Sequence, residues 1–184
     1  MSLKIVQESR GVIIDLNDYT VACRAFDKFF NVQEPHAAKL TKNIRALEKI
    51  DGSIIKVWSD RNGNVRVSTN GMIDAADADI LLPVNKIKTY QDLFNEALNK
   101  TDMKLEDFKK YRDYTLIFEL VSPLNRIVVP YQNTELFFLG VRNNQSGQEW
   151  TPYDFNDENL NNNFSRPKLY NIQTVEQAID VAKT

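Results

Sequence analysis

Two residue types that build many catalytic and metal centres are almost missing: the chain has a single cysteine, Cys23, and a single histidine, His36. One cysteine excludes an intramolecular disulfide, and with one histidine beside it no Cys/His zinc cluster can form within the chain. No hydrophobic run approaches the ~18 residues needed to span a bilayer, and the start, MSLKIVQESRG, lacks the apolar stretch of a secretory signal. An excess of either charge is missing too, because 23 basic residues against 25 acidic ones leave a net charge of -2. Bulk attraction to a polyanion is thereby excluded, so any nucleic-acid contact must come from a local patch. These absences predict a cytoplasmic protein with no membrane segment.

The remaining composition is that of a folded domain. With 184 residues, 42% hydrophobic and 26% charged, the chain sits near the globular average. At about 150 residues per domain, one domain is expected over residues 1–184. Short β-branched and aromatic runs at 11–16 and 19–26, separated by Asn17 and Asp18, predict an opening hairpin. Residues 35–47 carry apolar positions at helical spacing behind Pro35, which predicts a short helix or helical turn. A second hairpin is predicted where IIKVW and VRVST flank the turn Asp60-Arg61-Asn62-Gly63-Asn64.

Thr89 stands at an N-cap position ahead of Tyr90, Leu93, Phe94, Ala97 and Leu98, so a helix is expected there and a shorter one over 104–111. Three dense apolar runs, 114–121, 126–131 and 134–142, then read as adjacent buried strands. Residues 143–171 are rich in Asn, Asp and Ser and read as a long loop or an irregular cap, with 156–163 a solvated loop. Thr174 and Gln177 have capping-box spacing ahead of a final helix at 175–183.

The chemistry gathers at Glu48-Lys49-Ile50-Asp51-Gly52-Ser53, a lysine beside an Asp-Gly turn that runs straight into the strand IIKVW. A single lysine at such a turn is ordinarily a solvated charge; what surrounds this one changes the reading. Arg10-Gly11 precedes the first strand, Lys28-Phe29-Phe30-Asn31 lies upstream, Glu119 sits inside a strand, and an apolar strand ends at Arg142. This order and spacing resembles the ATP-dependent RNA ligases of the phage RNA ligase 1 type, within the covalent nucleotidyltransferases, over roughly residues 8–142. The resemblance implies an α+β fold: an antiparallel-sheet nucleotidyltransferase (adenylation) domain of the ATP-grasp-like DNA/RNA ligase type, here C-terminally incomplete.

The resemblance also implies roles. Lys49 would take AMP from ATP as a phosphoramidate, with Asp51 and Gly52 completing its motif and Glu119 facing the ribose. Arg10 and Lys28 would serve the phosphates. An aromatic of Phe29-Phe30 or Phe137-Phe138, with Phe30 and Phe138 preferred, would lie against adenine, and Glu48 and Arg142 join the nucleotide-binding set. Mg²⁺ would accompany the triphosphate, with Asp51 and Glu119 the candidates to hold it through water. The partners implied are RNA 5′-phosphate and 3′-hydroxyl ends.

Elementary chemistry supports that set. A lysine amine of ordinary pKa near 10.4 is protonated at neutral pH, so a lysine nucleophile needs desolvation or neighbouring cations. Arg10 and Lys28 are the expected neighbours. Gly52 lets backbone approach a nucleotide without a Cβ.

Two departures from the family pattern stand out. After Arg142 there is no Glu-Gly pair and no Lys-x-Lys strand, and Asn70 stands before Gly71 where related ligases tend to carry Lys or Arg. A truncated ligase, one half of a split enzyme completed by a second polypeptide, and a non-catalytic nucleotide-binding module of the same fold all fit these departures. A DNA ligase or capping enzyme shares the covalent chemistry and is the third choice of activity.

Overall fold

The computed structural model describes residues 3–31, 33–37 and 45–181. In chain order these form α1 (Lys4–Glu8), β1 (Ile13–Ile14), β2 (Val21–Cys23), β3 (Ala46–Leu47), β4 (Ser53–Ser59), β5 (Val65–Thr69), β6 (Asp79–Val84) and β7 (Ile87–Thr89). There follow α2 (Tyr90–Leu98), β8 (Tyr114–Val121), β9 (Glu135–Asn143), β10 (Glu149–Trp150), α3 (Glu158–Asn163), β11 (Leu169–Tyr170) and α4 (Val175–Val181). Among the described residues no helix is long and apolar enough to cross a membrane.

A five-stranded antiparallel sheet in the order β10-β9-β8-β4-β5 organises the molecule. Alternation along each strand divides its side chains between two faces. One face carries Ile55, Val57, Val67, Leu116, Phe118, Leu120, Leu136, Phe138 and Val141 and packs on α2 and a 3₁₀ helix at Leu105–Tyr111. Each large apolar side chain fully buried there stabilises the fold by roughly 1.5–3 kcal/mol. The nearly unbroken apolar run of β8 follows from cover on both sides, since seven of its eight residues are buried.

The opposite face is covered in part by the β1–β2 hairpin. The Arg24 amide donates to Thr115 Oγ1 at 3.0 Å, and Thr115 donates to Asn144 Oδ1 at 2.7 Å. Asn144 Nδ2 donates to the Ala22 carbonyl at 3.0 Å, so the far end of the sheet grips the hairpin through a chain of paired polar groups.

Both hairpins read from the sequence are present, the first shortened to β1 and β2. The α2 capping box is formed, with Thr89 Oγ1 accepting from the Asp92 amide and Asp92 accepting from the Thr89 amide. The final helix keeps its Thr174–Gln177 box. The shorter helix predicted at 104–111 is a 3₁₀ helix.

Three expectations are corrected, and one hairpin was not foreseen. RIVVPY at 126–131 is not a strand: Pro130 has no amide to give a ladder, and the Val128 and Val129 amides bond to the Asp51 carboxylate instead. Residues 156–163 are not all solvated loop, because Asp157 caps the Leu160 amide at 3.0 Å and fully buried Leu160 anchors α3. The helix expected at 35–47 ends otherwise, since Ala46–Leu47 is a strand paired with β11; residues 38–44 of that expectation lie outside the described residues. The β6–β7 hairpin was not expected at all, Pro83 within its run being a poor strand signal.

Candidate functional site

The site grows from the entry into β4. Ile50, 5% exposed, is buried beside Lys49, whose own side chain is exposed. Two residues on, the Gly52 amide donates to Glu119 Oε1 at 3.1 Å. A Cβ at Gly52 would run into the Leu120 carbonyl oxygen and stand 3.0 Å from Glu119 Cγ, so the strand reaches this closeness only with glycine. Ile54 pairs with Glu119, and Glu119 with Phe137, which places Gly52, Glu119 and Phe137 on one face.

Asp51 points the other way along the same turn. Its Oδ2 accepts the Val128 and Val129 amides, each at 2.7 Å, and its own amide donates to Tyr131 Oη at 3.3 Å. Those two backbone bonds hold the Asp51 carboxyl below the usual carboxylate range, with the charge of Lys49 a smaller cause. Ser53 then locks the strand start: its Oγ bonds with Tyr90 Oη at 3.1 Å and accepts from Asn125 Nδ2 at 3.2 Å. The turn carrying Lys49 is thus fixed from three directions.

Glu119 is 8% exposed, and burial pushes its carboxyl up to about 7, against the opposing pull of the Gly52 amide and of Lys49. A carboxyl raised in this way can accept from or donate to a hydroxyl. Asp51 Oδ2 is already taken by two amides. Among the described residues no group of three or more His, Cys, Asp or Glu could hold a metal ion. Direct metal ligation thus has no such cluster to support it among the described residues, and the expected contact of Asp51 and Glu119 with Mg²⁺ is one through water.

The basic residues come from the hairpin side. Lys28 and Arg10 lie on neighbouring segments, since the Lys28 amide donates to the Gln7 carbonyl at 2.9 Å; both side chains are exposed. The Lys28 ammonium sits 4.8 Å over the Phe30 ring, and half-buried Phe30 meets His36 edge-on at 6.0 Å.

Two of the expected nucleotide contacts, Phe138 and Arg142, are corrected. Phe138 is fully buried in the core on the face away from Glu119, so it cannot meet a base there; Phe137, half-buried beside Tyr131, is the aromatic on the Glu119 side. Arg142 is 6% exposed and committed to the Ala25 carbonyl and Asp27 at 2.6 Å and to the Gly147 carbonyl at 3.0 Å, which makes it a strut for the segment after β2. Glu48 accepts the Lys168 amide at 3.2 Å and thereby continues the β3–β11 pairing. Tyr131 and Asn125 were missed from sequence, because nothing in the connection between β8 and β9 signals which distant turn it will fasten.

A family profile described as RNA ligase matches residues 8–184. The chain belongs to the RNA ligase family. It is 33% identical over 97% of its length to an Autographa californica nuclear polyhedrosis virus protein named as a bifunctional polynucleotide kinase/RNA ligase. It is 29% identical over 72% of its length to the RNA ligase of Rhodothermus phage RM378. Of these two relatives it spans only 26% and 36%, respectively. An archaeal ATP-dependent RNA ligase shares the fold, with a TM-score of 0.65 at 16% identity, over 94% of this chain and 44% of that one. The α+β, antiparallel-sheet nucleotidyltransferase architecture expected from the sequence is thereby shown.

Proposed function

We propose that this RNA ligase family chain is one partial nucleotidyltransferase domain over residues 1–184 and catalyses ATP-dependent adenylation as the first step of RNA sealing. Lys49 Nζ attacks the α-phosphorus of ATP, a P–N bond forms, the bond to pyrophosphate breaks, and the amine gives up one proton. Lys49 then passes AMP to an RNA 5′-phosphate, regaining its proton, and a 3′-hydroxyl displaces AMP to close the strand. The observation that carries this reading is the three-way fixing of the Lys49 turn, by Asp51 to Val128 and Val129, by Gly52 to Glu119 and by Ser53 to Tyr90 and Asn125, in a chain of this family. A nucleophile held in place gains most of what orientation can supply.

Each neighbour has work in that step. The buried Glu119 carboxyl stands where a ribose hydroxyl can bond to it. Gly52 keeps the approach free of a Cβ, and Phe137 offers an apolar ring on the same face. Arg10 and Lys28 supply cations for the triphosphate. Mg²⁺ enters as part of the substrate, on the phosphates.

Incubation of the chain with α-labelled ATP and Mg²⁺, followed by denaturing gel and peptide mapping, tests this. Acid-labile AMP on Lys49, abolished by Lys49→Ala, is the expected result. The departure at Asn70 favours a second reading, a nucleotide-binding module: ATP affinity would survive Lys49→Ala and no label would form. Label that appears only when the remaining segment of a relative is added in trans would identify a split enzyme.

A further inference from the structure

Lys56 lies mid-strand in β4 with 1% exposure, on the face it shares with Glu119. Removing an ammonium from water is costly, and no carboxylate among the described residues forms an ion pair with it. Burial lowers its pKa, so the fold works against its charge. An apolar side chain of the same length would fill the slot at less cost. The lysine therefore needs a reason beyond packing.

Its Nζ donates to the Gly11 carbonyl at 2.6 Å. Gly11 follows Arg10 and has φ +69°, and a Cβ there would lie 2.8 Å from Asn70 Oδ1 and 3.1 Å from Lys56 Nζ. The Arg10–Gly11 turn is thus pressed onto the sheet at one point. Asn70 Oδ1 is buried at that point without a hydrogen bond from any described residue, which leaves the ammonium as the polar tie there. The other bonds from this end of the sheet, to Ala22, Arg24, Ala25 and Asp27, all fasten β2 and the segment after it. Among the described residues, the Lys56–Gly11 bond is the one hydrogen bond from the central sheet to residues 9–12.

We propose that Lys56 is a positioning residue for nucleotide transfer: its buried ammonium pins the Gly11 carbonyl and so fixes Arg10 over the sheet face that carries Glu119. This rests on the reading of Lys49 as the adenylated nucleophile with Arg10 serving the phosphates. Lys56 lies only two residues, about 7 Å along the strand, beyond the Ile54–Glu119 pair. Lys56 acts through Arg10 and touches no reacting atom.

The test is a cycle of Lys56→Met, Arg10→Ala and the double variant, read by the rate of lysyl-AMP formation over a range of ATP concentrations. Amide hydrogen exchange over residues 10–12 is measured alongside. Lys56→Met should stay folded, exchange the amides of 10–12 faster with the rest unchanged, and slow adenylation about tenfold. In the Arg10→Ala background it should add nothing, and Lys56→Arg should recover part of the loss. An effect that multiplies with Arg10→Ala, or labelling within twofold of the unsubstituted chain, would overturn the proposal. If the unsubstituted chain forms no lysyl-AMP, the functional reading fails separately and exchange decides this one: unchanged exchange at 10–12 sinks it, and faster exchange confined there supports it.

Discussion

The Gly52 amide and the Glu119 carboxylate, bonded at 3.1 Å, join the turn that carries Lys49 to the centre of the sheet. The acceptor is buried with its carboxyl pushed up to about 7 by that burial, so the bond is made by a group that changes charge near neutrality. Fold stability and the state of the site are therefore linked through one side chain.

The sign of that linkage is set by a folded-state value above the ordinary carboxyl value of 4.5. The native state holds the Glu119 proton in a range where the unfolded chain has lost it. Stability from this group is complete below about 4.5, falls as pH rises towards 7, and stays lost above it. The span is worth on the order of 3 kcal/mol. Thermal melts at pH 5.5 and 7.5 should show the chain more stable at the lower pH relative to Glu119→Gln. An equal pH response in both would refute the raised value.

Gly52→Ala follows from the same contact. A Cβ there meets the Leu120 carbonyl oxygen, which is backbone and cannot swing aside as a flexible side chain would. Overpacking of this kind costs typically 1–3 kcal/mol, and relief by moving the strand would stretch the Gly52–Glu119 bond. A lowered melting temperature together with lost lysyl-AMP formation is expected. A variant that melts and labels as the unsubstituted chain does would show the strand to have room.

Much of this was readable before any fold was known, and the division follows range. The α2 cap at Thr89 and the β4–β5 hairpin around Asp60–Asn64 are local patterns, set by neighbours a few residues apart, whereas the Lys49-Asp51-Gly52 motif was read through resemblance and its turn is held by partners 67 or more residues away. Glu119 was reached through resemblance, and its pairing with Ile54 places it beside the turn. Phe138, Arg142 and RIVVPY were misread because face and partner depend on long-range facts. A bulge between Ile117 and Phe118 settles which of Phe137 and Phe138 faces Glu119. An apolar run whose amides are claimed by a carboxylate 77 residues away looks, in sequence, like any strand.

That carboxylate gives the third prediction. Asp51 Oδ2 accepts two backbone amides, so Asp51→Ala should release residues 128 and 129, whereas Asp51→Asn can keep its carbonyl oxygen in the same place. Hydrogen exchange should accelerate at the Val128 and Val129 amides in Asp51→Ala and change less in Asp51→Asn. Lys49→Ala should leave both amides protected. Exchange at these amides that is indifferent to Asp51 would show the loop to be held by something else.

Arg142 separates a structural cation from a phosphate ligand. Its guanidinium bonds the Ala25 carbonyl, the Gly147 carbonyl and Asp27 at once, an arrangement that needs the planar fork. A lysine there has a single nitrogen and cannot span the three, so Arg142→Lys should not behave as a conservative change. Loss of one or two hydrogen bonds from a charged group predicts about 1–3 kcal/mol, read as a fall in melting temperature. The loss should be the same with and without saturating ATP, because Arg142 faces protein and not ligand; a shift that grows when ATP is added would return it to the nucleotide-binding set.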